Sequence, residues 1–302
     1  RDVERSRGLG DVYKRQINGS PTQGFGYTTL MTNNGKMVNR GVEITLSGEI
    51  IRQKDFSWNA SLLYAFNRNK VKHISVQPSL WDSRISMPTS YPMVGKPLYG
   101  IYAYKWAGLN ENGDPQVYDA ENNVTSGPAR DYHALVYCGT TVPIHNASLT
   151  NVLRYKGLEF SAMLILDAGH KLRSSNIPSI NMSNGRITST AKGIVDRWTQ
   201  PGDVTDVPRL LFSNDTENFN THRTELYRYS DLFVYDASNI RLSNISLAYR
   251  VPAHWCKKIS LSGARLQFNV ENVATFAFDS KANYDLGGKV KPNYVWGLYL
   301  NF

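Results

Sequence analysis

Hydrophobic and polar residues alternate along several stretches of the chain, with the period of two residues that is typical of a β-strand. The clearest case is the last stretch, in which five apolar or aromatic residues fall on one face: Tyr294, Trp296, Leu298, Leu300 and Phe302. Soluble domains more often end in a few disordered polar residues than on an aromatic side chain. The pattern therefore predicts that Phe302 ends the closing strand of an outer-membrane β-barrel, and an ordinary soluble β-domain is the alternative.

The same period predicts strands over residues 41–51 and 56–67, which a short polar turn at residues 52–55 joins. The second strand is long for a globular domain, where about five or six residues are typical, but it suits a tilted membrane strand of about 9–11 residues. Further strands are predicted over residues 147–155, 158–166, 240–251, 264–276 and 293–302. The alternation slips near Asn244, which predicts a β-bulge or a change of face there.

The connections between these strands fall into two lengths. Short turns are predicted at residues 52–55, 156–157 and 252–260, whereas long polar excursions follow residues 67, 166 and 276. Residues 100–106 form either a short strand or an ordered loop within the first excursion. Short turns on one side and long loops on the other are typical of a bacterial outer-membrane barrel, in which the turns are periplasmic and the loops extracellular.

Residues 33–71, NNGKMVNRGVEITLSGEIIRQKDFSWNASLLYAFNRNKV, carry an Asn-Arg-Gly-Val-Glu strand start, a Phe-Ser-Trp strand and an Asn-Lys-Val exit in that order. This stretch resembles the barrel of the SusC/RagA-type TonB-dependent outer-membrane transporters. Later stretches extend the resemblance: VGKPLYGIYAYKWAGLNENGDPQVY, RWTQPGDVTDVPRL, NIRLSNISLAYRVP and ARLQFNVENVATF. The resemblance implies an all-β fold, the C-terminal part of an antiparallel transmembrane barrel with long extracellular loops and about 22 strands in all.

The resemblance also implies a function, the uptake of glycans or oligopeptides across the outer membrane of a Gram-negative, Bacteroidota-like bacterium, without enzymatic activity or a cofactor. The implied partners are a SusD-like lipoprotein as an extracellular lid, outer-membrane lipid, and TonB–ExbB–ExbD through a plug and TonB box expected upstream. About ten strands in this chain would leave two open sheet edges. Where the family commonly has Asp-Pro-Glu near the last loop, this chain has Asn283, Tyr284 and Asp285, so no role is carried over there.

The opening residues 1–16 match neither the resemblance nor the strand period. They lack the apolar core of about 7–15 residues that a signal peptide needs. The segment resembles translated adapter or vector read-through, and we predict that it is non-native. The barrel portion is therefore assigned to residues 17–302.

Composition narrows the remaining possibilities. The net charge is +9, but Lys and Arg are scattered without a basic block, so nucleic-acid binding is not expected. Cys138 and Cys256 are far apart and could form a bridge, remain free thiols or do neither. The six His show no metal-ligand spacing, and no catalytic pattern is present. Asp196, Asp203 and Asp206 match no calcium-loop pattern and are expected to be solvated.

Two sets of candidate functional residues remain. The first is the terminal set Tyr294, Trp296, Leu298, Leu300 and Phe302, a predicted signal for barrel insertion as well as a lipid-facing surface. The second set combines aromatic rings, which stack on sugars, with polar groups that bind hydroxyls. Its members are Trp81, Asp82, Arg84, Trp106, Arg197 and Trp198, and for each tryptophan the competing interpretation is an interfacial girdle or a packed loop core. Two other functions stay open: a soluble or surface-attached carbohydrate-binding β-sandwich, and a passive porin-like channel.

Overall fold

The computed structural model describes residues 5–6, 14–19, 30–75, 83–127, 132–182, 191–212, 221–287 and 291–302. The strands are β1 (Arg5–Ser6), β2 (Lys14–Gly19), β3 (Leu30–Arg52), β4 (Phe56–Ile74), β5 (Gly100–Tyr104), β6 (Trp106–Leu109), β7 (Pro115–Tyr118), β8 (Val124–Thr125), β9 (Leu135–Thr140), β10 (His145–Tyr155), β11 (Leu158–Ala168), β12 (Lys171–Arg173), β13 (Asn181–Met182), β14 (Leu211–Phe212), β15 (Val234–Asp236), β16 (Asn239–Arg250), β17 (Gly263–Ala277) and β18 (Asn293–Asn301). The α-helices are α1 (Ser83–Ser86), α2 (Thr221–Arg228), α3 (Ala253–Lys257) and α4 (Asn283–Leu286).

One antiparallel main sheet organises the described residues. Its strand order is β1-β3-β4-β10-β11-β16-β17-β18, with β2 also paired to β3, so it has nine strands. In the described part of the chain the order does not return on itself, and the sheet is open between β18 and β1. The predicted all-β, antiparallel fold is confirmed. The predicted bulge is also present, because the register between β16 and β17 shifts between Leu242 and Asn244.

The predicted connection lengths are confirmed. Short connections join β3 to β4, β10 to β11 and β16 to β17, and the last of these contains α3. Long connections join β4 to β10, β11 to β16 and β17 to β18. Because consecutive strands are antiparallel, all short connections lie at one end of the main sheet and all long ones at the other.

The main sheet has two chemically different faces. Across the strands, cross-strand partners continue one apolar face, as in the row Ile44, Tyr64, Ala147, Leu166 and Ile240. The opposite, polar face runs through positions such as Thr45, Ser148 and Ser246. Large side chains of the apolar face are exposed, including Val42 (51%), Leu298 (61%) and Trp296 (77%). A β-sandwich would bury such a face against a second sheet, so the sandwich alternative is wrong for the described residues.

The hydrophobic core lies outside the main sheet. We call the described residues of the long connections the loop assembly: residues 83–127, 132–144, 169–182, 191–212, 221–238 and 278–287. One cluster of buried residues there contains Tyr102, Tyr104, Val117, Ala134, Leu135 and Leu226, and a second contains Ile180, Tyr227 and Phe233. The long excursions are therefore packed structures with short strands and the helices α1, α2 and α4, rather than the irregular loops that their polar sequence suggests.

Three further predictions can be compared with the structure: the strand bounds, the opening segment and the two cysteines. Strands β3 and β4 have 23 and 19 residues, so they extend well beyond the predicted segments 41–51 and 56–67. The backbones of β1 and β2, within or overlapping residues 1–16, pair with β3, and the non-native origin of that segment stays a prediction. Cys138 and Cys256 are both free thiols. Among the described residues, no helix is long and apolar enough to cross a membrane.

Candidate functional site

The polar face of the main sheet carries charged groups that pair across strands. Glu159 of β11 accepts hydrogen bonds from Arg154 Nε at 2.7 Å and from Arg265 Nη2 at 3.3 Å. Asp167, near the other end of β11, accepts from Asn146 Nδ2 at 2.7 Å and from Arg241 Nη2 at 3.0 Å. These contacts join β10, β11, β16 and β17 on one surface, which can therefore face water and hydrogen-bond a polar solute.

A buried arginine network holds the loop assembly together. Asp114 accepts a bidentate pair from Arg209, with Nε–Oδ1 at 3.0 Å and Nη2–Oδ2 at 2.8 Å. Arg223 of α2 donates to the same carboxylate at 3.1 Å, and also to the backbone carbonyls of Ile180 at 3.1 Å and Arg209 at 2.7 Å. The Arg223 side chain is only 3% exposed. Burial lowers the pKa of Arg223, while the Asp114 carboxylate opposes that shift.

A second arginine, the last residue of β12, connects segments of the loop assembly. Arg173 donates from Nη2 to the carbonyl of Tyr102 at 2.7 Å and from Nη1 to the carbonyl of Ser230 at 3.2 Å. Its guanidinium carbon lies 5.4 Å from the centre of the Tyr229 ring, within cation–π range. These contacts connect three segments that are far apart in sequence. Neither arginine network is predictable from the sequence, because isolated Arg and Asp residues in polar stretches give no periodic signal.

Trp106 lies where the two hydrophobic clusters meet. Its ring packs 5.9 Å from that of Tyr227, and it contacts residues of both clusters. The indole Nε1 donates to Asp206 at 2.9 Å, and the backbone N–H donates to Asp231 at 3.0 Å. Trp106 therefore has its indole donor engaged within the loop assembly and leaves only part of its ring accessible.

Trp198 sits on the turn at Gly113. A Cβ atom added to Gly113, which has φ of +73°, would lie 2.4 Å from Trp198 Cδ2, so the indole rests directly on the glycine backbone. The Trp198 N–H donates to the carbonyl of Val207 at 2.8 Å. Because Asp206 holds Trp106 and Val207 holds Trp198, one short segment positions both tryptophans. Trp198 as a whole is half-buried.

The other candidate contacts are distributed differently. Arg197 is half-buried and donates to the carbonyl of Ile194 at 3.3 Å. Arg84 is buried, 7% exposed, and lies 5.9 Å from the centre of the Tyr102 ring. Trp81 and Asp82 lie outside the described residues. The structure thus brings Trp106 and Trp198 to one segment, whereas Arg84 packs against β5.

Of the three aspartates at positions 196, 203 and 206, Asp203 makes its hydrogen bonds within its own turn, whereas Asp206 binds the distant Trp106. The Asp203 carboxylate accepts from the backbone N–H and hydroxyl of Thr199 and from the N–H of Gln200 at 2.7, 2.8 and 3.0 Å. Hydrogen bonds from Thr199 and Gln200 lower the pKa of Asp203. Within the described ranges, no group of three or more His, Cys, Asp or Glu residues is arranged to hold a metal ion.

Four residues of the terminal set lie on β18, which pairs with β17, and Phe302 directly follows the strand. Trp296 packs against Phe268 with ring centres 4.2 Å apart, and Tyr294 lies 6.3 Å from the same ring. Phe302 is 92% exposed, and the backbone of its neighbour Asn301 accepts from Ser262 N–H at 2.8 Å. Tyr294, Trp296, Leu298 and Leu300 share the apolar face of β18, and the strand ends at Asn301, one residue before the predicted end at Phe302. A role in barrel insertion stays a prediction.

Comparisons with known proteins agree with this architecture. No family model matches the chain. TonB-dependent receptor P3 of Formosa agariphila is 24% identical over 294 residues, which cover 90% of this chain and 28% of the relative. TonB-dependent receptor SusC of Bacteroides thetaiotaomicron is 22% identical over 263 residues, which cover 82% of this chain and 24% of the relative. The chain thus spans less than a third of the length of the curated relatives it matches.

Solved structures give the same result for the fold. The structure of the RagAB peptide transporter matches with a TM-score of 0.69 and 21% identity, over 92% of this chain and 31% of that one. The RagAB peptide importer in the open-open state matches with a TM-score of 0.66. The predicted resemblance is therefore confirmed: this chain is a relative of the SusC/RagA-type TonB-dependent receptors, and its main sheet has the fold of part of their barrel.

Proposed function

We propose that this chain forms part of the wall of an outer-membrane importer that takes up oligopeptides or glycans by a TonB-dependent mechanism. The observation that carries the proposal is the two-faced main sheet, because exposed apolar side chains on one face suit lipid and paired charges on the other suit water. The segregation of short and long connections to opposite ends supports an orientation with the loop assembly outside the cell.

The substrate and partners extend this proposal. Oligopeptide is the first substrate class to test, because the RagAB neighbours are described as a peptide transporter and importer. Glycans remain the second class, because half-buried tryptophans beside polar groups suit sugar stacking. A SusD-like lipoprotein would cover the loop assembly, and TonB–ExbB–ExbD would supply energy through the rest of the full-length protein.

Within the loop assembly, Trp198 and Arg197 are the candidate substrate contacts that retain accessible surface and adjoin each other. Trp106 packs against Tyr227 and Arg84 packs against Tyr102. We therefore propose that these two residues position the loop assembly rather than contact substrate. Replacing Trp198 with Ala should weaken uptake through a higher half-saturation concentration. The matched change Trp255→Ala removes an exposed indole, 54% exposed, from the short-connection end and should leave uptake unchanged.

The function is tested by deleting the full-length gene in its native host and measuring the uptake of labelled oligopeptides and glycans. We expect the deletion to abolish uptake of one class, expression of the wild-type gene to restore it, and depletion of TonB to stop it. Uptake that persists without TonB would favour the passive channel. Unchanged uptake of both classes after deletion would contradict an importer of either substrate.

A further inference from the structure

Strands β3 and β4 continue past the apolar face on the side of the long connections, and their outward side chains change there from apolar to basic. We call Arg40, Arg68, Lys70 and Lys72 the basic patch. Arg68, Lys70 and Lys72 follow Phe66 of the apolar face at intervals of two residues, and Arg40 is the cross-strand partner of Arg68. All four side chains are exposed. No ion pair among the described residues includes any of them.

The other side of this hairpin is already covered by the loop assembly. Val71 is 3% exposed, and its backbone pairs with Gly95 and Lys96 at 2.8 and 2.9 Å. The side chain of Asn69 accepts from the N–H of Leu98 at 2.7 Å. Because residues of alternate parity point to opposite sides of a strand, the basic patch points to the side opposite Asn69 and Val71, and only Arg68 borders the loop assembly.

Two adjoining clefts follow this basic surface. One, of about 440 Å³, is lined by Val38, Phe66 and the four residues of the basic patch. The other, of about 480 Å³, shares Phe66 and Arg68 and adds Lys96, Tyr137 and His145. Lys96 Nζ lies 4.8 Å from the centre of the Tyr137 ring. Neither lining includes a carboxylate among the described residues, so the clefts present uncompensated positive charge.

An aromatic band marks the border between the apolar face and the basic patch. The ring of His145 lies 5.3 Å from that of Phe66, and its Nδ1 is 2.8 Å from the hydroxyl of Tyr64. Aromatic residues of this kind collect where a bilayer meets water. Cations immediately beyond such a band stand at the depth of lipid headgroups, where phosphate groups are the complementary charge.

We infer that the basic patch binds the phosphate of a glycolipid in the outer leaflet, whose acyl chains lie along the apolar face below Phe66. The inference rests on the proposed function, because it requires the main sheet to span the outer membrane with the loop assembly outside. The lipid is favoured over free phosphate because the clefts combine the cations with Val38 and Phe66, which continue the surface that the acyl chains would cover.

The test uses full-length protein purified from outer membranes in detergent and freed of lipid. It is titrated in mixed micelles with monophosphoryl lipid A, with the dephosphorylated form of that glycolipid, and with inorganic phosphate alone. The charge-neutral variant carries Arg68→Gln, Lys70→Gln and Lys72→Gln. Its matched control carries Lys54→Gln, Lys257→Gln and Lys258→Gln, three exposed lysines at the short-connection end.

We expect the wild-type protein to bind the phosphorylated lipid more tightly than the dephosphorylated form. Each Lys or Arg beside an anionic membrane surface contributes about fivefold, so the triple variant should bind about a hundredfold more weakly. The control should bind as the wild type does, and the charge-retaining change of Lys70 and Lys72 to Arg should preserve binding. Single Lys70→Gln and Lys72→Gln variants, each expected to lose about fivefold, cover the case in which the triple variant fails to fold.

Equal affinity for the two lipids, unchanged affinity of the charge-neutral variants, or inorganic phosphate binding as tightly as the lipid would each overturn the inference. If the wild-type protein is recovered from the outer membrane and imports its substrate but binds both lipids equally, only this inference fails. If it is not recovered from the outer membrane, the proposed function fails and the inference fails with it.

Discussion

Leu62 and Leu63 are adjacent residues of one type on opposite faces of β4, and they offer a direct comparison of those faces. Leu62 lies on the apolar face between Leu46 and Leu149, whereas Leu63 lies on the polar face between Thr45 and Ser148. Their exposures are similar, 38% and 44%. In a water-soluble protein, the substitutions Leu62→Arg and Leu63→Arg should therefore have similar effects on the free energy of unfolding.

In a membrane barrel the two substitutions should differ widely. Leu62 is four residues from both Trp58 and Phe66, or about 13 Å along the strand and about 9 Å along the membrane normal for a tilt of about 45°. It therefore lies near the middle of the bilayer. An arginine on the lipid face at that depth costs about 2–4 kcal/mol, which lowers the folded-to-unfolded ratio by about 30- to 1000-fold. Leu63→Arg enters a wet polar surface and should change stability by about 0.5 kcal/mol or less.

The assay is equilibrium unfolding in guanidinium chloride of the full-length protein reconstituted in phospholipid vesicles. A second readout is the folded fraction on gels, which is the share of protein whose migration changes when the sample is heated. We expect a lower unfolding midpoint and a smaller folded fraction for Leu62→Arg, and values close to the wild type for Leu63→Arg. Equal destabilisation by the two substitutions, or greater destabilisation by Leu63→Arg, would refute the assignment of the faces.

Three further predictions follow from other parts of the molecule. Deleting Phe302 should lower the outer-membrane level of the full-length protein. Phe278→Ala, which removes an exposed loop ring (62% exposed), should leave that level unchanged. An unchanged level after the deletion would exclude an insertion signal at Phe302. Gly113→Ala should open the Trp198 segment to proteolysis, because the new methyl group would lie 2.4 Å from the indole. Gly202→Ala, at φ of +99° with open space around it, should cost only backbone strain of about 1 kcal/mol. Equal sensitivity of the two variants to protease would contradict the packing of Trp198 on Gly113. Burial lowers the pKa of His170 from its ordinary value of 6.5. Below pH 6.5 the unfolded state therefore binds more protons than the folded state. The β12–β15 pair should lose stability as the pH falls from 6.5 towards the lowered pKa of His170. Amide hydrogen exchange of residues 171–173 against pH tests this, and a His170→Gln variant should abolish the pH dependence.

The main sheet was predictable because each strand repeats one simple period. In β4, every second residue from Phe56 to Phe66 is apolar or aromatic, and the register then fixes which neighbours share each face. The sequence did not predict the full extent of β3 and β4. Their extensions carry basic outward residues such as Lys70, so the apolar signal ends at the aromatic band although the hydrogen-bonded pairing continues.

The loop assembly was the least predictable part. Its buried residues come from short, separated segments, such as Tyr102 in β5, Ile180 before β13 and Leu226 in α2. No segment is long enough to show a period, and the Arg223 network joins residues more than a hundred positions apart. For the same reason, the sequence identified Trp106 and Trp198 as candidates but could not show that one segment, through Asp206 and Val207, holds both.

The central claim is that the two faces of the main sheet meet lipid and water, and spin-label accessibility along β4 tests it most directly. Single labels at positions 62, 63, 64 and 65 of the full-length protein, in a cysteine-free background and in phospholipid vesicles, report collisions with oxygen and with a water-soluble nickel complex. We expect high oxygen accessibility at positions 62 and 64 and high nickel accessibility at positions 63 and 65. Uniform accessibility at all four positions, or the opposite alternation, would contradict it.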